Sequence, residues 1–82
     1  MTLDILTPEQ SLFSGTADRV QLPGINGKFE VLDNHAPMIA TIKEGKIKVT
    51  TGNNKQEIKV KSGIVEILKN KVSVLVEVSA EE

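Results

Sequence analysis

Apolar and polar positions alternate through the second half of the chain. Ile47 and Val49 interleave with Lys46 and Lys48, Ile58 and Val60 with Lys59 and Lys61, and Val72, Val74 and Val76 with Ser73 and Glu77. A period of two sends successive side chains to opposite faces, so each run predicts a half-buried strand. The connections are short and suited to reversal. Gly52, Asn53 and Asn54 predict one hairpin turn, and Asn70, entering the left-handed region between Leu68 and Val72, predicts another. In the first half, Leu3 and Ile5 mark a strand that Thr7 and Pro8 stop, and Leu12 and Phe13 mark a short piece. Further strands are predicted over residues 17–22, 28–32 and 38–42. About eight to ten short strands, each with one apolar face and none replaced by a helical period, predict an all-β fold. The expected architecture is a small antiparallel β-sandwich or flattened barrel, two sheets face to face, forming one domain over residues 1–82.

The run from Leu22 to Pro37, L-P-G-I-N-G-K-F-E-V-L-D-N-H-A-P, departs from this regularity. Pro23 fixes its own φ and lacks a donor, and Gly24 and Gly27 permit turns that a Cβ would block. The chain therefore reverses here, runs as a strand from Gly27 to Leu32, and turns again at Asp33 and Asn34 before His35 and Pro37. Pro23, Gly24, Gly27 and Pro37 are the predicted structural turn positions. With S-L-F-S-G before it and I-K-E-G-K-I-K-V after it, this run resembles the N-terminal domain of the epsilon subunit of F-type ATP synthases. The resemblance extends from T-L-D-I-L-T-P-E at Thr2 to Glu9 through S-G-I-V-E-I-L-K-N-K-V-S-V-L-V at Ser62 to Val76.

That resemblance implies a sandwich of about ten strands and a mechanical role. The chain would be a non-catalytic central-stalk subunit of a proton- or sodium-translocating synthase, passing rotation between the gamma subunit and the membrane c-ring. It would sit peripherally on the cytoplasmic face of a bacterial membrane, or on the equivalent organelle face, without inserting into the bilayer. It further implies that Asn26, Gly27, Lys28 and Phe29 form a ring-facing tip, with His35 nearby. Lys28 stands where some relatives carry an acidic residue, which reverses the sign of one ion pair but not the docking surface. Most epsilon subunits continue into a helical hairpin, whereas this chain stops at V-S-A-E-E, Val78 to Glu82. A cut at the domain boundary and a naturally short form both fit. Without the hairpin, no ATP binding and no restraint of hydrolysis is expected.

Composition narrows the alternatives. There is no cysteine, so neither a disulfide nor a thiolate metal site can brace the fold. Net charge is −1, and Phe13 and Phe29 are the only aromatics, which argues against a nucleic-acid partner. No apolar stretch approaches the ~20 residues that span a bilayer, and no signal peptide is evident, so a soluble, unexported chain is expected. His35 is the one side chain with an ordinary pKa near neutrality, but no nucleophile, second histidine or ligand set accompanies it. It is expected to hydrogen-bond locally, with no catalytic, cofactor or metal site. The G-x-x-G of Gly24 and Gly27 lacks the lysine and hydroxyl of a phosphate cradle.

Two rivals remain: a free-standing β adaptor and a biotinyl or lipoyl carrier domain. The carrier would need an exposed turn lysine, for which Lys55 and Lys71 are the nearest placements, without the flanking residues such carriers show. Residues 43 to 71 hold eight lysines against Glu44, Glu57 and Glu66. These are read as solvated strand faces and edges, where lysine discourages edge pairing, or as a positive surface that steers an acidic partner.

Overall fold

The computed structural model describes residues 1–78. It has nine strands in chain order and no helix among the described residues. They are β1 (Thr2–Leu6), β2 (Ser11–Thr16), β3 (Arg19–Gly24), β4 (Gly27–Leu32), β5 (Met38–Ile42), β6 (Gly45–Thr51), β7 (Asn54–Val60), β8 (Ser62–Leu68) and β9 (Lys71–Glu77). The path runs β2-β1-β9-β8-β5-β3-β6-β7, with β4 on the other edge of β3.

One backbone ladder threads all nine strands, but it has a corner. β3 pairs with β6 at Arg19, Val20 and Gln21, then passes to β5 at the single register pair Gly24 and Ile42. Two main-chain bonds flank that pair, from Ile25 N to Thr41 O (3.0 Å) and from Lys43 N to Pro23 O (2.9 Å). On either side lie two half-sheets, β2-β1-β9-β8-β5 and β4-β3-β6-β7, so the expected sandwich is one curled sheet closing over its own core.

The core follows the alternation. Leu3, Ile5, Ile42, Val65, Ile67, Val72, Val74 and Val76 come from the first half-sheet. They join Val20, Leu22, Val31, Ile47, Val49 and Val60 from the second in one buried cluster. Each such side chain contributes roughly 1.5–3 kcal/mol by leaving water.

Three sequence expectations are refined. The pairing is not wholly antiparallel, because β1 lies parallel to β9, with Thr2 opposite Lys71 and Leu6 opposite Leu75. The strand expected over residues 17–22 runs instead from Arg19 to Gly24. Buried Ala17 is occupied elsewhere, donating to Met1 O (3.0 Å) and accepting from the Met1 nitrogen (3.1 Å), so the ladder begins later. The piece at Leu12 and Phe13 is a full strand, because β2 pairs along the whole of β1.

Reversals occur near the expected positions, but Pro23 and Gly24 end β3, Gly27 begins β4 and Asn54 begins β7, so these residues flank their turns in the ladder. Buried Thr7 ends β1, its hydroxyl accepting from Glu9 N (3.2 Å) and Gln10 N (3.0 Å). In the β8–β9 turn both Lys69 (φ 51°) and Asn70 (φ 60°) are left-handed, the geometry of a two-residue type I′ hairpin. Asn34 (φ 62°) is left-handed too, and its N–H donates to the Asn70 side chain at 2.8 Å, tying the β4–β5 loop to that turn.

Candidate interaction surfaces

The β3–β4 hairpin closes on a two-residue tip, Ile25 and Asn26, flanked by the pair Gly24 and Gly27. Glycine at 24 is required by close approach rather than by an unusual φ. A Cβ there would lie 2.7 Å from Gly27 O and 2.9 Å from the Phe29 ring. The backbone therefore presses onto Phe29, which packs half-buried against the core, while Asn26, Gly27 and Lys28 stay exposed. Beside this tip, Ile25, Asn26, Gly27, Lys28 and Phe29 line a groove of about 540 Å³ against Met38, Ile39, Ala40 and Thr41 of β5. Four of the five expected interface residues are thus one surface.

His35 does not join them. It follows the Leu32 end of β4, whereas the tip lies at the Gly27 end, and His35 is not among the residues lining the groove, although Met38, three residues on, is. The separation is built by β4 itself, which the sequence reading had correctly bounded. His35 is half-buried; its backbone N–H donates to Leu32 O (3.2 Å) and its Nδ1 lies 2.7 Å from Ala36 O. The ring is therefore engaged in shaping the loop before Pro37.

A second surface escaped the sequence reading. On the outer face of the first half-sheet, register aligns Leu6, Leu75 and Ile64 in one row across β1, β9 and β8. Ile39 of β5 stands in the adjoining row, opposite Glu66. These four side chains are exposed and line a shallow groove of about 320 Å³. Ile39 also lines the tip groove, so the two surfaces adjoin in a mainly apolar strip ending at Ile25. Ile39 and Ile25 remain 67% and 59% exposed, more than any other large apolar side chain among the described residues. The signal was available: Leu75 lies between Val74 and Val76, and Ile64 beside Val65, so both faces are apolar where alternation calls for a polar residue.

The carrier lysines are not at a turn apex. Lys55 pairs with Thr50 inside the β6–β7 ladder and Lys71 with Leu68 inside β8–β9. Among the described residues no group of three or more His, Cys, Asp or Glu side chains is placed to hold a metal ion.

The family model of the ATP synthase delta/epsilon chain β-sandwich domain matches residues 1–82. This chain belongs to that family. Among delta/epsilon-type relatives, it is 46% identical over 76 residues to the ATP synthase epsilon chain of Rhodopseudomonas palustris strain BisA53, covering 93% of this chain and 56% of that one. With the epsilon chain of Bradyrhizobium sp. strain ORS 278 the identity is 42% over the same length and coverage. The chain therefore spans little more than half the length of these relatives.

The delta/epsilon sandwich also superposes on solved assemblies. A chain of the central stalk and c-ring of the Tetrahymena thermophila mitochondrial ATP synthase matches with a TM-score of 0.82 at 13% identity, covering 94% of this chain and 63% of that one. A chain of the Euglena gracilis mitochondrial enzyme matches with a TM-score of 0.85 at 14% identity, covering 90% and 48%. At such identities the likeness is one of fold.

Proposed function

We propose that this delta/epsilon-type domain is a non-catalytic coupler in the rotor of a proton- or sodium-translocating F-type ATP synthase. It is held by the gamma subunit on one side and the membrane c-ring on another, peripherally on the cytoplasmic face or its organelle equivalent. One observation carries the reading beyond family membership. A β body that buries its own core still exposes Ile25, Ile39, Ile64, Leu75 and Leu6, with Glu66 and Ser73 between them, along two adjoining grooves that share Ile39. Exposed apolar area in a contiguous patch is the mark of a surface that is covered in an assembly.

The tip residues Asn26, Gly27, Lys28 and Phe29 are assigned to the ring contact, with Lys28 as the charge that meets a polar ring loop. His35, at the other end of β4, is assigned to shaping its own loop. A coupler needs stiffness more than chemistry, and short hairpins around one close-packed core provide few low-energy openings.

The test is affinity capture of the tagged chain from detergent-solubilised source membranes. Gamma and ring subunits are expected to co-purify; recovery of an unrelated partner set instead would replace the rotor reading with the adaptor one. Lys28→Glu is expected to change ring association while leaving Tm where it was. A fall of several degrees with association unchanged would make Lys28 a structural residue.

A further inference from the structure

The outer face of the second half-sheet differs in kind from the apolar strip. Register places Lys28 and Glu30 of β4, Arg19 and Gln21 of β3, Lys46, Lys48 and Thr50 of β6, and Lys55, Glu57 and Lys59 of β7 on that face. Their neighbours Val20, Leu22, Val31, Ile47, Val49 and Val60 point into the core. Six cations therefore stand against two carboxylates, a local excess of four positive charges on a chain whose net charge is −1. The carboxylates are committed to neighbours: Glu30 lies 3.7 Å from Arg19 and Glu57 lies 3.4 Å from Lys46. Among the described residues, Lys28, Lys48, Lys55 and Lys59 have no ion-pair partner.

We infer that this face docks an acidic segment of a partner protein. The centre of the face is a groove of about 420 Å³ lined by Arg19, Lys48 and Lys55 together with Gln21 and Thr50, with Gln56 at its rim. Cations of that reach pair with carboxylates, and the amide and hydroxyl groups between them can bond a peptide backbone. Glu30 and Glu57 line the same groove, and they decide the class of partner. A bilayer of anionic headgroups or a polyphosphate presents unbroken negative charge and meets both carboxylates with repulsion. A protein segment can set its acids opposite the lysines and leave the carboxylates facing neutral groups. Edge protection accounts for lysine on β7, which ends the ladder, but not for Lys48 on β6, which has a neighbour on both sides. This inference does not rest on the rotor reading, since it draws only on the charge and register of the second half-sheet.

The test is a titration of the ¹⁵N-labelled 82-residue chain with a capped ten-residue peptide of alternating glutamate and serine, at low and at raised salt. Shifts are expected on β3, β4, β6 and β7 and not at Ile64 or Leu75, with affinity falling about tenfold or more as the salt is raised and the Debye length shrinks. Lys48→Glu/Lys55→Glu is expected to weaken binding at least tenfold with Tm unchanged. The milder Lys48→Gln/Lys55→Gln pair serves if the reversal disturbs folding. Binding undiminished in a folded variant, or shifts spread evenly over the molecule, would overturn the inference. So would tighter binding through these residues to phosphatidylglycerol vesicles or to inorganic polyphosphate.

Discussion

A methyl group at position 24 has no room. With Gly27 O at 2.7 Å and the Phe29 ring at 2.9 Å from where it would lie, Gly24→Ala must push apart the two strands of the tip hairpin. The expected cost is roughly 1–3 kcal/mol, or about 5–20 °C in Tm for a domain of this size, read by thermal melting. Gly52→Ala is a contrasting control: open space surrounds the site, but its φ of +59° is left-handed. The expected loss there is smaller, about 1–2 kcal/mol. Asn70→Ala should also cost about 1–2 kcal/mol, because it removes both a left-handed asparagine and the acceptor of the Asn34 N–H. Asn70→Gly should recover only the backbone share. The sequence marks each of these positions as special, and Asn70 for the right reason. It marks Gly24 rightly as a place where a Cβ is barred, but a string of letters does not show that Gly27 O and the Phe29 ring are what bar it. His35 is close to the tip in the chain, but the whole of β4 lies between them.

The hairpins were the most legible elements, because a turn residue and the alternation on either side are both local signals. β6–β7 and β8–β9 pair over seven register positions each, around the expected turns. What alternation could not reveal was which strands meet across the chain, and so neither the parallel pairing of β1 with β9 nor the apolar row that it aligns. Leu6 reads as an ordinary strand end until β9 places Leu75 opposite it. Two substitutions test that row and its neighbour on β5: Ile64→Asp and Ile39→Asp. Both side chains are exposed, so the expected cost in stability is that of aspartate in a strand and, for Ile39→Asp, of a second carboxylate opposite Glu66, about 1 kcal/mol each. Capture of rotor subunits is expected to fall at least tenfold. A large loss of stability with capture intact would show that the row braces the sheet rather than meeting a partner.

At the scale of the whole molecule, the two half-sheets share main-chain bonds, among the described residues, only around Gly24 and Ile42, and side-chain packing across the core holds them elsewhere. Truncating a residue that bridges the layers should therefore loosen one half against the other. Leu22→Ala is expected to cost about 2–5 kcal/mol, with amide exchange in β4 and β7, at the margins of the second half-sheet, accelerating before that in β8. The first half-sheet has a different kind of security. Because β1 and β9 run in the same direction, a pull on Thr2 against Glu77 stretches the seam lengthwise, and its rungs share the load instead of opening one after another. Antiparallel hairpins such as β8–β9 peel from their open end under the same tension. The body can thus be dragged by its first and last strands and yield late.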